Sequence, residues 1–141
     1  MTMRYKRFGN RFIVRLDRGE EIVETLKRFC QEKEVKLGSI TGIGATNKAV
    51  VGLFDVKNKE YHKKELTGAF EIAPLYGNVS TKDGEVYLHL HVNLCSSEHK
   101  SFGGHLNSAV VSATFEAFVD VVEGEVERVF NRELGLNILN I

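Results

Sequence analysis

Val86-Tyr87-Leu88-His89-Leu90-His91-Val92-Asn93-Leu94-Cys95 alternates without a break. Its even positions are all apolar, and its odd positions carry Tyr87, His89, His91, Asn93 and Cys95. A two-residue period is that of a β-strand with one face in a core and the other free for polar chemistry. Working outward, the spans 11–16, 37–43, 50–56, 60–66, 70–80, 110–122 and 126–130 also read as strands. Lys57-Asn58-Lys59 reads as the turn between two of them, and Asp83-Gly84 as the tight turn before the alternating segment, with glycine supplying positive φ. Along 110–122, Val111, Ala113, Phe115, Ala117, Val119 and Val121 fall on one face, with Ser112, Thr114, Glu116 and Asp120 on the other.

One helix interrupts this pattern. Ile22, Val23, Leu26, Phe29 and Cys30 recur at the helical period and form a single apolar stripe. Asp17-Arg18-Gly19-Glu20 ahead of them has the form of a capping box. Glu20 and Glu21 suit the positive end of the dipole and Lys33 the negative end, with Glu24 and Arg28 spaced as an i,i+4 pair. Parallel strands need crossover connections, and one helix cannot supply them. The fold class is therefore α+β: a mainly antiparallel twisted sheet of about seven or eight strands with one principal amphipathic helix.

At 141 residues, 43% apolar and 27% charged, the chain reads as a single domain over 1–141, too apolar for wholesale disorder. Nineteen basic and nineteen acidic residues cancel, so no global field draws it to nucleic acid or membrane. Apolar runs are too short for a membrane helix, and the first residues lack a signal peptide's apolar stretch, which gives a cytoplasmic expectation. Cys30 and Cys95 are expected as reduced thiols.

The histidines carry the most specific chemistry. On one strand face His89 and His91 have Cα atoms about 6.6–6.8 Å apart, close enough for both imidazoles to reach one ion. Cys95 lies about 13 Å beyond His91 and is a poor third ligand. His105 follows Gly103-Gly104, where two glycines let the backbone bend sharply and approach another element. His89, His91 and His105 thus form a candidate three-nitrogen site with an open fourth position, zinc being the first choice among divalent transition metals. The alternative is a polar strand face whose histidines meet solvent or a subunit interface. His62 and His99 read as surface residues. Glu71 and Asn93 are candidate binding residues, with Glu71 or Glu98 the available bases should the site hydrolyse an acyl or phosphoryl group.

Other motifs fail on inspection. Thr41-Gly42-Ile43-Gly44-Ala45 opens like a dinucleotide loop, but Asn47 holds the third glycine position and a strand follows. No G-x-S-x-G elbow is present. The reading leans away from an enzyme and leaves activity open. Arg4, Lys6, Arg7 and Arg11 make a basic strip that could touch DNA phosphates, weakly and with steep salt dependence. Residues 116–127 hold five acids and no base, and could pair with that strip within the fold or oligomer instead.

Five landmarks in order, Gly42-Ile43-Gly44-Ala45, Gly68-Ala69-Phe70-Glu71-Ile72, Leu75-Tyr76-Gly77-Asn78, His89-Leu90-His91-Val92 and Gly103-Gly104-His105-Leu106, resemble the PPC (plants and prokaryotes conserved) domain over nearly the whole chain. The resemblance implies a mostly antiparallel α/β domain of the stand-alone prokaryotic type, a homotrimer, and a DNA-binding or transcription-associated role. The chain has no AT-hook, and Ala69 stands where the plant Gly-Arg-Phe-Glu-Ile motif has arginine. Three functions are thus carried forward: a DNA-associated trimer, a three-histidine metal protein or metal-dependent enzyme taking a small molecule, and a purely structural trimer.

Overall fold

The computed structural model describes residues 4–141. Eight strands and one helix follow in the order β1 (Arg4–Phe8), β2 (Arg11–Asp17), α1 (Ile22–Glu32), β3 (Gly38–Asp55), β4 (Glu60–Lys82), β5 (Glu85–Ser96), β6 (Ser101–Val121), β7 (Arg128–Asn131) and β8 (Leu136–Leu139). Every strand pairing is antiparallel, so the α+β reading holds.

The number of strands agrees at eight, but they are divided differently: β1 and β8 went unread in the sequence, and two strands are longer than it suggests. Spans 37–43 and 50–56 belong to one strand, β3, and spans 60–66 and 70–80 to another, β4. Shifts of register between Gly42 and Gly44, Thr46 and Lys48, and Ile72 and Leu75 bend these strands without ending them. Bulges of this kind look like breaks in the alternation. The same effect displaces Ala113, expected beside Val111 and Phe115 in the core but exposed where β3 and β6 slip register. Gly44 belongs to this crossing for a steric reason: a Cβ there would lie 2.1 Å from the Thr114 carbonyl oxygen. Asp83 and Gly84 both have positive φ, as a two-residue hairpin turn requires.

The helix starts four residues later than a capping box at Asp17-Arg18-Gly19-Glu20 implies. Glu21 is the cap, its carboxylate accepting from the Glu24 backbone N–H at 2.6 Å, while Glu20 reaches back to accept from the Asp17 N–H at 2.6 Å. The box-like contact exists, but it closes the loop before the helix. Among the described residues Glu24 and Arg28 form no ion pair. Ile22, Leu26, Phe29 and Cys30 are fully buried against Phe12, Val14 and Leu16 of β2 and the inward residues of β5 and β6. Phe29 meets Phe12 and Tyr5 edge-on, at ring separations of 5.2 and 5.5 Å.

The main sheet runs β1-β2-β6-β3-β4-β5, and β5 also pairs with the start of β6, so β3, β4, β5 and β6 close on one another. The core fills the helix side. A row of cross-strand partners on the opposite side runs Ile13, Phe118, Thr41, Tyr76, His91 and His105. β7 and β8 form a separate hairpin beyond the main sheet.

Candidate metal centre

The alternation of 86–95 survives intact: Leu90, Val92 and Leu94 are buried, and His89, His91, Asn93 and Cys95 point the other way. His105 reaches them by the close approach expected of its two glycines, but without the expected bend. It does not follow a sharp bend but lies inside β6, directly opposite His91 in the β5–β6 pairing. The two glycines before it serve close approach. A Cβ on Gly103 would stand 2.2 Å from the Val92 carbonyl oxygen, and one on Gly104 2.6 Å from that of Gly52. Side chains there would push β6 away from both neighbours.

The result is a cluster of three imidazoles whose candidate ligand nitrogens all lie within 4.8 Å of one another. His89 Nε2 and His91 Nε2 are 3.1 Å apart. Ring centroids are separated by 5.0, 5.5 and 5.7 Å. Nitrogens at about 2.0–2.1 Å from a tetrahedral ion are about 3.3 Å apart, so this set fits a single transition-metal ion after small rotations. Burial, then the neighbouring His91, Arg128 and His105, pushes His89 down to about 4. Burial and His91 also lower His105. Both rings are thereby kept neutral at pH 7, the form that ligates metal.

The surroundings hold groups that the sequence reading passed over. Tyr61 packs edge-on against His105 at 5.9 Å and donates to Asn107 Oδ1 at 2.5 Å. Arg128 donates to Asn78 Oδ1 and Ser80 Oγ and lies over the Tyr87 ring. Tyr61, Asn78, Tyr87 and Arg128, together with Leu136, Asn137, Ile138 and Leu139, line a cleft of about 670 Å³ that contains all three histidines. In the sequence Arg128 follows Glu127 between Val126 and Val129, which gives it no distinct signal.

Other candidates stand apart. Asn93 shares the histidine face but donates to the Ala73 carbonyl at 2.9 Å. Glu71 is exposed opposite Cys95, four residues beyond His91 and so about 13 Å along the strand. Glu98 pairs with Lys100 on the surface. The basic strip divides between two faces. Arg7 turns to the helix side and lies over Phe12, while Arg4, Lys6 and Arg11 share the opposite side with Arg15. Arg4 and Arg15 both hold Asp17, and Arg11 holds Asp120 of the acidic segment. Cys30 and Cys95 are free thiols.

A closed antiparallel sheet with one packed helix and a three-imidazole cluster on its outer face defines the class. The Plants and Prokaryotes Conserved (PCC) domain matches residues 3–123, and the chain belongs to that family, the PPC family of the sequence reading. It is similar to a solved structure described as a "putative dna binding protein" from Bacteroides thetaiotaomicron, with 38% identity, 98% of this chain and 96% of that chain covered, and a TM-score of 0.96. A metal-containing protein from Archaeoglobus fulgidus is 36% identical, with 100% and 99% covered and a TM-score of 0.87. A PPC protein from Pyrococcus horikoshii is 31% identical, with 99% and 95% covered and a TM-score of 0.86. No curated protein matches the chain.

Proposed function

We propose that residues 1–141 act as one PPC-like domain, assembled as a homotrimer, that holds a divalent transition metal on His89, His91 and His105. The observation that carries this is the convergence of three imidazole nitrogens within 4.8 Å, two of the rings kept neutral by burial. The metal content of the Archaeoglobus fulgidus relative supports it. Zinc is the first choice, because three nitrogen ligands leave a fourth position open for water or a ligand. When bound, the ion supplies Lewis acidity toward whatever occupies that position. The chain's own part is to present neutral rings and shape the cleft around them. With Glu71 and Glu98 both remote from the cluster, the arrangement favours small-molecule binding over hydrolysis.

The test is elemental analysis of protein purified without a nickel column. One zinc per chain in the wild type, lost in His89→Ala, is expected; stoichiometric metal retained by the variant rules out this ligand set. For the trimer, exposed Ile13, Ile43, Tyr76 and Phe118 on the helix-free face supply apolar surface for association. Sedimentation equilibrium should return about three times 15.9 kDa.

A DNA-associated role in the cytoplasm is the second reading. It is favoured by the description of the Bacteroides thetaiotaomicron relative and by Arg4, Lys6 and Arg11 sharing one face. Arg4 and Arg11 already hold carboxylates, so binding should be weak and fall steeply with salt. Absence of duplex binding at about 50 mM salt removes this reading. No helix among the described residues is long and apolar enough to cross a membrane.

A further inference from the structure

The C-terminal hairpin, β7–β8, lies beyond the family-matched residues 3–123, yet it builds one wall of the histidine cleft. It is firmly docked. Thr81 N–H donates to the Val126 carbonyl, the Lys59 ammonium donates to the Glu133 carbonyl, and the hairpin turn at Gly135 packs against Phe54. The hairpin brings two kinds of surface to the cleft: the guanidinium of Arg128, and Leu136, Ile138 and Leu139, which line it together with Leu53 and Phe54 of β3.

Arg128 is the unusual group. It is only 7% exposed, and among the described residues it forms no salt bridge. All its partners are neutral: Ser80 Oγ at 2.7 Å, Asn78 Oδ1 at 2.8 Å and the Asn137 carbonyl at 3.0 Å. These use three of the five N–H donors of a guanidinium, leaving two. Asn78 is the cross-strand partner of His89, and Ser80 that of Tyr87, whose ring lies 4.8 Å beneath the guanidinium. The cation is thus fixed beside the imidazole cluster. A buried charge with no counter-charge is costly, and a metal ion next to it would raise the positive potential further. Such a site is complete only with an anion. One guanidinium suits a monoanion, its planar fork matches a carboxylate, and the aliphatic and aromatic side chains lining the cleft suit an apolar body. A volume of about 670 Å³ is within the range of small-ligand pockets.

We propose that the cleft binds a small monocarboxylate with an apolar tail, its carboxylate held by Arg128 beside the metal position and its tail laid against Leu136, Ile138 and Leu139. The proposal rests on the metal reading above and adds the ligand class and the hairpin residues that select it. The experiment is calorimetric titration of zinc-loaded protein of measured metal content with hexanoate, with hexanol, hexylamine, acetate and inorganic phosphate as comparisons. Hexanoate is expected to bind one per chain and tightest of the five. Arg128→Gln should weaken it about 10- to 100-fold, the loss of charge-assisted bonds, at unchanged zinc content. Leu136→Ala should weaken hexanoate several-fold and leave acetate unchanged, which keeps the test decisive if the Arg128 variant does not fold. Hexanoate binding no tighter than hexanol, or phosphate binding as tightly as hexanoate, overturns the carboxylate proposal while leaving the metal site standing. Wild-type protein that takes up no zinc overturns both.

Discussion

His91 and His105 face each other directly across the β5–β6 pairing, their ring centroids 5.7 Å apart, although fourteen positions separate them in the chain. That opposition makes a candidate ligand pair from two strands, and His89, two residues along β5, adds the third ring. Binding a metal to such a set stabilises the folded chain by mass action, because the unfolded chain does not hold the three nitrogens together. Zinc-loaded protein should therefore melt at a higher temperature than metal-free protein. In His91→Ala and in His105→Ala the increment should disappear, measured by differential scanning calorimetry with and without chelator. An increment that persists in either variant places the metal elsewhere.

Gly103 and Gly104 hold β6 against β5 and β3 by having no side chains. Gly103→Ala would force a methyl to 2.2 Å from a backbone oxygen, which nothing flexible can relieve. Overpacking of this kind costs about 1–3 kcal/mol, and it should also separate His91 from His105. We expect a lower denaturant midpoint together with weaker zinc binding. Full zinc affinity in a folded Gly103→Ala protein would show that the close strand approach does not set the cluster.

Acid should destabilise the metal-free protein in a defined window. His89 stays neutral in the folded chain down to about 4, whereas in the unfolded chain it takes a proton near the ordinary histidine value of 6.5. Between those values the unfolded state binds more protons, so stability falls as pH is lowered from 6.5 toward 4. His105, also lowered, acts in the same direction. His89→Asn should flatten the profile of thermal midpoint against pH across this range. An unchanged slope would assign the acid sensitivity to other groups.

The two thiols should differ in reactivity. Cys30 is fully buried on the helix, and burial pushes it up to about 12, so almost no thiolate exists at neutral pH. Cys95 is half-buried on the histidine face, within reach of Asn93 and Ser101. A thiol-reactive dye should label one cysteine in the native protein, identified as Cys95 by peptide mapping, and two after unfolding. Native labelling of Cys30 would mean that the helix opens readily.

The amphipathic stripe of α1 and the alternation of 86–95 were legible because each depends on a local period meeting a single buried face. The strand that carries His105 was not legible over its first half. Gly103, Gly104 and the surrounding polar residues resemble a loop, since glycine has no period to show. The long strands β3 and β4 were read as pairs for a related reason: a bulge shifts the apolar positions by one and mimics a turn. The capping motif misled by proximity, because Glu20 serves the loop and Glu21 the helix.

By itself the sequence determined the fold class and the inward and outward faces of β5, with His89 and His91 sharing one face, all consequences of periodicity, while His105 entered only as a candidate third ring after its two glycines. It was left to the tertiary structure to decide that β6 runs beside β5 with His105 facing His91, that Arg4 and Arg11 are spent on Asp17 and Asp120, and that Arg128 enters the cleft with no acidic partner among the described residues. These are pairings between residues far apart in the chain. Strand register and the folding back of the C-terminal hairpin fix them, and neither is written in any local period.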